Sequence, residues 1–373
     1  MKIAIDLRSL SSGSISGVEN YIVNLLEHLL PLDKQNTYSL FYNAWGQKVP
    51  VEFNFINSQI VKTKIPNKIL NAALLLNLTK MEKLAGNLDV LFLPNLNQFS
   101  ILPQTKLAIT VHDLSPVVTP EFYDIKRRLW HKFLNYKKAF DRANIIFAVS
   151  EYTKRDLVRI FNISAQKIRV VYPGVDQNVF HQNIGVNQLR RTRNIYGLPG
   201  DYILFLNTIE PRKNLSGLLK AFGVLDSRAD LVIVGRQGWK HKRIFKEIKN
   251  SKKFAKIRYI GYVAEADKPA IIKLAKLLVY PSFYEGFGFQ PLEAMALGTP
   301  AIVSQVTSLP EVVGDAALLV NPYNIDDIRT GMDLLLTDET LRRRFIAKGL
   351  EKVKQYSWQR TAEQVLEGLS NLQ

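Results

Sequence analysis

The sequence contains no cysteine. That excludes disulfides, thiolate nucleophiles and cysteine metal sites, and it suits a reducing cytoplasm. Only five histidines are present, and no His-Glu-x-x-His occurs among them. There is no Asp-x-Asp pair, so the carboxylate clamp of a metal-bound diphosphate is missing. No Gly-Lys-Ser/Thr stands at phosphate-loop spacing. The pair Gly286 and Gly288 lacks the third glycine of a dinucleotide fingerprint. Long hydrophobic runs are also absent: "ILNAALLLNL", residues 69–78, is interrupted by asparagines and too short to span a bilayer. The opening "MKIAIDLRSL" enters a strand-like alternation without an apolar leader core, so no signal peptide is expected. Acidic residues are in deficit, 33 against 50 basic, for a formal charge of +17. Such an excess favours polyanions: nucleic acid, anionic lipid or phosphorylated substrates.

What is present is the pattern of two α/β domains. A chain of 373 residues is too long for one ordinary core. Short runs rich in Val, Ile, Leu and aromatics recur as "KIAIDLR", "YSLFYNA", "DVLFLPN", "KLAITVH", "IIFAVSE" and "IRVVYPG". They recur again as "DYILFLNT", "DLVIVG", "KIRYIGYV", "LLVYPS", "PAIVSQ" and "AALLVNP". Helix-length amphipathic stretches separate most of them, which predicts doubly wound parallel sheets covered on both faces. The polar stretch around residues 176–196 reads as the linker. In such sheets ligands sit beyond the carboxyl ends of strands, so functional residues should follow strands directly.

Four stretches pass that filter. "FYEGFGFQPLEAMALGTPAI", residues 283–302, follows a strand, and Pro291 is expected to open a helix. Gly286 and Gly288 let backbone approach a ligand, and the helix start offers free N–H groups to an anion. Glu293, expected in the first turn, could accept hydrogen bonds from a vicinal diol such as a ribose, with Glu285 facing whatever extends beyond the phosphates. The plainer account of Glu293 is a carboxylate complementing the helix dipole. In "SSGSISGVENYIVNLLEHLL" a helix should start near Gly17, with Ser16 and Glu19 forming a capping box, or Gly17 admitting a diphosphate. In "NTIEPRKNLSGLLKAF", Arg212 and Lys213 could neutralise a diphosphate leaving group; two cations at a helix start otherwise oppose its dipole. In "TVHDLSP", His112 could hydrogen-bond sugar hydroxyls or a backbone carbonyl, and Asp113 could buttress it, although such an Asp also forms turns.

With these parts together, the chain resembles the GT-B-fold retaining glycosyltransferases of family 4 (group 1) over nearly its whole length. Glu285 and Glu293, eight positions apart in "EGFGFQPLEAMALGTPAI", match the family's Glu-x7-Glu signature. "SGVENY", "AVSEYTKRDL" and "VVYPGVD" resemble its first domain, and "EPRKNL" with "VHDLSP" its bacterial mannosyltransferases of surface-polysaccharide assembly. The resemblance implies an acceptor-side domain at 1–185, a nucleotide-sugar domain at 186–355 and a final helix at 356–373 that crosses back onto the first. It implies metal-independent transfer, without a cofactor, from a nucleoside-diphosphate sugar with retention at the anomeric carbon. His112 and Glu285 would then lie at the reacting sugar, with Asp113 in support. Glu293 would hold the ribose; Gly17, Arg212, Lys213 and the Gly286-Phe287-Gly288 turn would serve the diphosphate. At the position where many members carry a phosphate-binding Arg, five residues before the Lys, this chain has Thr208.

The expected activity is hexosyl transfer, with mannose from GDP-mannose first in order, to a glycan or polyisoprenyl-diphosphate-linked acceptor. Rival readings are a nucleotide-sugar epimerase or a phosphorylase on the same architecture, an inactive relative, and a basic nucleic-acid binder. The last lacks any recognised binding module, so no nucleic-acid partner is expected. Residues 124–143 hold seven Lys/Arg against two Asp, interleaved with Leu129, Trp130, Phe133, Leu134, Tyr136 and Phe140. They read either as a helix packed on its domain or as a surface docking on anionic lipid at the inner membrane face.

Overall fold

The computed structural model describes residues 1–12, 17–43 and 53–373. The expected capping residue Ser16 lies outside them. The chain forms two compact units: residues 1–114, 129–174 and 357–373, and residues 115–128 with 175–356. These bounds differ from the expected 1–185, 186–355 and 356–373. The chain changes unit at residue 174 rather than 185, and a short segment after His112 belongs to the second unit.

The first unit is built on seven parallel strands: β1 (Lys2–Asp6), β2 (Thr37–Asn43), β3 (Ser58–Thr63), β4 (Val90–Leu93), β5 (Lys106–Val111), β6 (Ile145–Ala148) and β7 (Ile168–Val170). Their order is β3-β2-β1-β4-β5-β6-β7. Strand β4 is buried at every residue, which is why it reads as an unbroken apolar run. Strand β3 escaped the sequence reading because, as an edge strand, it is half-exposed and carries only two apolar residues, Ile60 and Val61. The helix Gly17–Leu32 buries Tyr21, Ile22, Leu25 and Leu29. The final helix, Trp358–Ser370, packs against it, with the Trp358 ring 5.7 Å from that of Tyr21. The same helix lies close against strand β6, where a Cβ on Gly368 would come within 2.5 Å of the Phe147 ring.

The second unit holds six parallel strands: β8 (Tyr202–Leu206), β9 (Asp230–Val234), β10 (Ile257–Gly261), β11 (Leu277–Tyr280), β12 (Ala301–Ser304) and β13 (Leu318–Val320). Their order is β10-β9-β8-β11-β12-β13. The strand order therefore reverses between β8 and β11, and a crevice opens beyond the carboxyl ends of strands at such a switch point. Part of the expected linker is helical, residues Val186–Tyr196, closed by Gly197 in the left-handed conformation at φ 57°. Its polarity misled the periodicity reading because Thr192 is its one buried residue.

Residues 124–143 form two helices, Ile125–Phe133 and Tyr136–Arg142, rather than one. Asn135, at φ 45°, ends the first and caps the second, its side chain accepting from the Lys138 amide. Phe140 is buried, but the first helix buries none of its residues: Ile125, Leu129, Trp130 and Phe133 stand exposed among Lys126, Arg127, Arg128 and Lys132. The packed reading therefore holds for Phe140 and fails for the first helix. Among the described residues, no helix is long and apolar enough to cross a membrane.

Candidate active site

The switch point of the second unit gathers three of the expected site residues. Strand β8 leads through Glu210 into a short 3-10 turn, Pro211–Lys213, and β11 leads into the loop carrying Glu285. Because these strands are neighbours, Glu285 meets both cations. Lys213 Nζ donates to Glu285 Oε1 at 2.6 Å, and Arg212 Nη1 donates to Oε2 at 3.1 Å. Arg212 also donates to Glu210 Oε1 at 3.0 Å and to the Tyr284 carbonyl at 2.7 Å. All four charged side chains are buried. The anion that relieves two cations at this turn is thus supplied by the protein, and the cluster carries no net formal charge.

The electrostatics follow from this packing. Burial alone would raise the Glu285 carboxyl, but Lys213 and Arg212 overcome it and pull its pKa down to about 2. Burial, and then Arg212, lowers the pKa of Lys213 against the opposing pull of Glu285. Tyr280 lies beneath Lys213, 5.9 Å from the ammonium, and burial with the Glu285 charge holds its phenol protonated.

The Glu285 loop is fixed from outside the signature. Thr307, at φ 62°, accepts from the Glu285 amide at 3.1 Å, and the Ser308 hydroxyl donates to the Glu285 carbonyl at 2.9 Å. A β-branched residue rarely adopts such a φ, so this contact is held against local strain. Asn214 performs the same service for the cations. Its side chain caps the helix Leu215–Val224 at Gly217 N and donates to the Pro281 and Pro322 carbonyls. Neither Thr307 nor Asn214 stood out in the sequence; the left-handed tolerance of an Asn ahead of an apolar run was the one available signal.

Gly288, at φ 105°, closes the turn: a Cβ there would meet Leu309 at 2.6 Å. The helix starts at Phe289, two residues before the expected Pro291. Pro291 remains within the first turn, where its missing N–H breaks no helical bond. Glu293 is consequently the fifth helical residue, beyond the first turn, and no acidic residue occupies that turn. This corrects the expected placement and removes the helix-dipole account of Glu293. Its Oε1 accepts from Lys268 Nζ at 2.7 Å, while its buried Oε2 has no hydrogen-bond partner. Burial raises the Glu293 pKa, against the opposing charge of Lys268. Lys268, outside every motif, was not anticipated. Phe287 buries its ring between Phe289 and Tyr356, at 5.3 and 5.7 Å, so its side chain is part of the packing. Thr208, in the loop after β8, abuts Gly238, whose Cβ would lie 2.8 Å from its methyl group.

Gly17, His112 and Asp113 belong to the first unit. Gly17 opens its helix, and Tyr21 of that helix meets the His112 ring edge-on at 4.8 Å. His112 Nε2 lies 2.8 Å from the Pro94 carbonyl. A carbonyl only accepts, so Nε2 carries the proton and, in the neutral ring, Nδ1 keeps its lone pair. Burial lowers the His112 pKa, opposed by the Pro94 carbonyl and by the charges of Asp113 and Glu19. Among the described residues, no three His, Asp or Glu side chains cluster so as to hold a metal ion.

Comparison with known proteins agrees with this architecture. The family described as glycosyl transferases group 1 matches residues 191–352, and glycosyltransferase family 4 matches residues 15–179. O-antigen chain mannosyltransferase B of Escherichia coli is 34% identical over 262 residues, 69% of this chain and 68% of that protein. The serotype-specific mannosyltransferase WbdA of Escherichia coli is 31% identical over 273 residues, 72% of this chain but 34% of that longer protein. Sucrose-phosphate synthase from Thermosynechococcus elongatus superimposes with a TM-score of 0.78 at 19% identity, covering 100% of this chain and 98% of that one. HepE of Anabaena, solved with UDP and glucose, gives 0.74 at 16% identity over the full length of both. The fold is GT-B, two parallel-sheet Rossmann-like domains, and the chain belongs to the group 1, family 4 glycosyltransferases, an enzyme family of sugar transfer.

Proposed function

We propose that this glycosyltransferase moves mannose from GDP-mannose to a growing surface polysaccharide, free or carried on a polyisoprenyl diphosphate, in the cytoplasm. The names of its Escherichia coli relatives support the sugar and the product class. The observation that carries the reading is the unpartnered Glu293 Oε2, buried on the helix that follows β11. A buried carboxylate oxygen without a donor is costly, and a ribose hydroxyl is a donor of suitable reach.

In this reading the bond from the anomeric carbon to the diphosphate breaks as the acceptor oxygen bonds the same face of that carbon. Bonding on that face retains the configuration, the acceptor proton passes to the departing phosphate oxygen, and in this reading no metal takes part. Glu285 is ill suited as a nucleophile, because both its oxygens are committed to cations and its low pKa makes it a weak base. It positions Lys213 and Arg212 instead. The Lys213 ammonium has three donors, of which Glu285 takes one, and the others can meet charge developing on the diphosphate. His112 Nδ1 accepts a sugar hydroxyl while Asp113 supports the ring.

Calorimetric titration of GDP-mannose, UDP-glucose and UDP-N-acetylglucosamine, with chelator present, tests this. GDP-mannose should bind the wild type and bind Glu293→Ala at least tenfold more weakly, as loss of a charged hydrogen bond predicts. Binding that is abolished by chelator, or unchanged in the variant, rejects the reading.

A further inference from the structure

The second unit contains a cavity of about 780 Å³ that is distinct from the charged cluster. One wall is aromatic: Phe122 stacks on Phe283 at 5.4 Å with planes 8° apart, and Tyr323 leans on Phe283 at 4.9 Å. Tyr323 leaves 70% of its surface exposed, unusual for a ring so placed. The lining is also cationic. Four basic side chains line the cavity against two acidic ones. Arg243 is paired with Glu247, and Lys240 donates to the Glu121 carbonyl at 2.6 Å, which leaves Lys220 and Lys242 as exposed ammonium groups.

This cavity is built rather than incidental. Phe122 is held by the Trp239 indole, whose N–H donates to the Phe122 carbonyl at 2.7 Å, while Tyr123 stacks on the same indole at 5.1 Å. The Pro322 carbonyl, next to Tyr323, accepts from Asn214, and the Phe283 amide donates to the Arg212 carbonyl at 2.9 Å. The aromatic wall thus shares its supports with the catalytic cluster.

We propose that this cavity is a saccharide subsite for the acceptor glycan, taking a sugar ring that bears an anionic substituent. The electron-rich face of an exposed aromatic ring attracts the C–H hydrogens of a pyranose. Lys220 and Lys242 supply the point charges for a phosphate or carboxylate on that sugar. The volume is that of a small-ligand site. The inference rests on the proposed transfer to a glycan but does not depend on which nucleotide sugar is the donor.

Saturation-transfer NMR on the full chain, without donor, tests it with mannose 6-phosphate, mannose and inorganic phosphate as probes. Mannose 6-phosphate should bind most tightly. Tyr323→Ala should weaken it about fivefold, the scale of one lost aromatic contact. Lys220→Glu with Lys242→Glu should reduce mannose 6-phosphate to the level of mannose. GDP-mannose affinity should be the same in both variants as in the wild type. Equal binding of mannose 6-phosphate by wild type and variants overturns the subsite, as does inorganic phosphate matching the sugar phosphate. Failure of GDP-mannose to bind the wild type, with the mannose 6-phosphate pattern intact, overturns the donor reading alone.

Discussion

Lys213, Arg212, Glu285 and Glu210 form a group in which each charge is tolerable only because the others are present. A buried ion pair gains little over an apolar substitute, but removing one partner strands the other in a medium that cannot solvate it. Lys213→Met should therefore destabilise the second unit by about 3 kcal/mol, the lower end for such losses because Arg212 still meets Glu285. Lys213→Met with Glu285→Gln should recover most of that stability and none of the activity. Denaturant unfolding alongside turnover measures both, and additive losses of stability would show that the pair is not coupled. The sequence motifs mark Lys213, Arg212 and Glu285. Their mutual pairing was not legible, because they are 72 and 73 positions apart and only the adjacency of β8 and β11 brings them together.

The helix Ile125–Phe133 is the element that departs furthest from ordinary packing. It presents four exposed apolar side chains and four exposed basic ones, and buries none. We propose that this surface docks on an anionic bilayer, which would accept both halves: rings and aliphatics at the acyl boundary, ammonium and guanidinium groups at the phosphates. Trp130→Glu with Phe133→Glu should reduce co-sedimentation with vesicles rich in phosphatidylglycerol at least tenfold, without changing donor affinity. Binding of the wild type no stronger than to neutral vesicles would reject this docking face. The sequence displayed the composition of this stretch, but its two fates were settled by Asn135. There the chain turns, so that Phe140 packs inward while Phe133 does not.

For the whole molecule, the two signature carboxylates bias stability in opposite directions with pH. Glu285 titrates near 2 when folded against an ordinary 4.5, so its contribution is fully present above about pH 4.5 and is lost as pH falls toward 2. Glu293 is raised, so its contribution is present below 4.5 and is lost as pH rises through its folded value. Unfolding midpoints measured from pH 7 to pH 2 should therefore fall more steeply below 4.5 for the wild type than for Glu285→Gln. Parallel curves would show that Glu285 is not held by its cations.

Local patterning determined a great deal. Short apolar runs alternating with amphipathic stretches read as the strands of parallel sheets, so twelve of the thirteen strands among the described residues and the α/β class were readable, and the exposed edge strand β3 was not. Glycine, proline and charge after strands likewise marked Arg212, Lys213, Glu285 and Glu293, because a parallel sheet leaves its ligand crevice there. Tertiary structure alone decided the strand order, and with it the switch point that pairs Glu285 with two cations. It also set the Phe289 helix start that carries Glu293 past the first turn, the Lys268 contact, and the strained Thr307 that steadies the loop. These are contacts between residues distant in the chain, fixed by which strands lie side by side, and no local window of sequence contains that information.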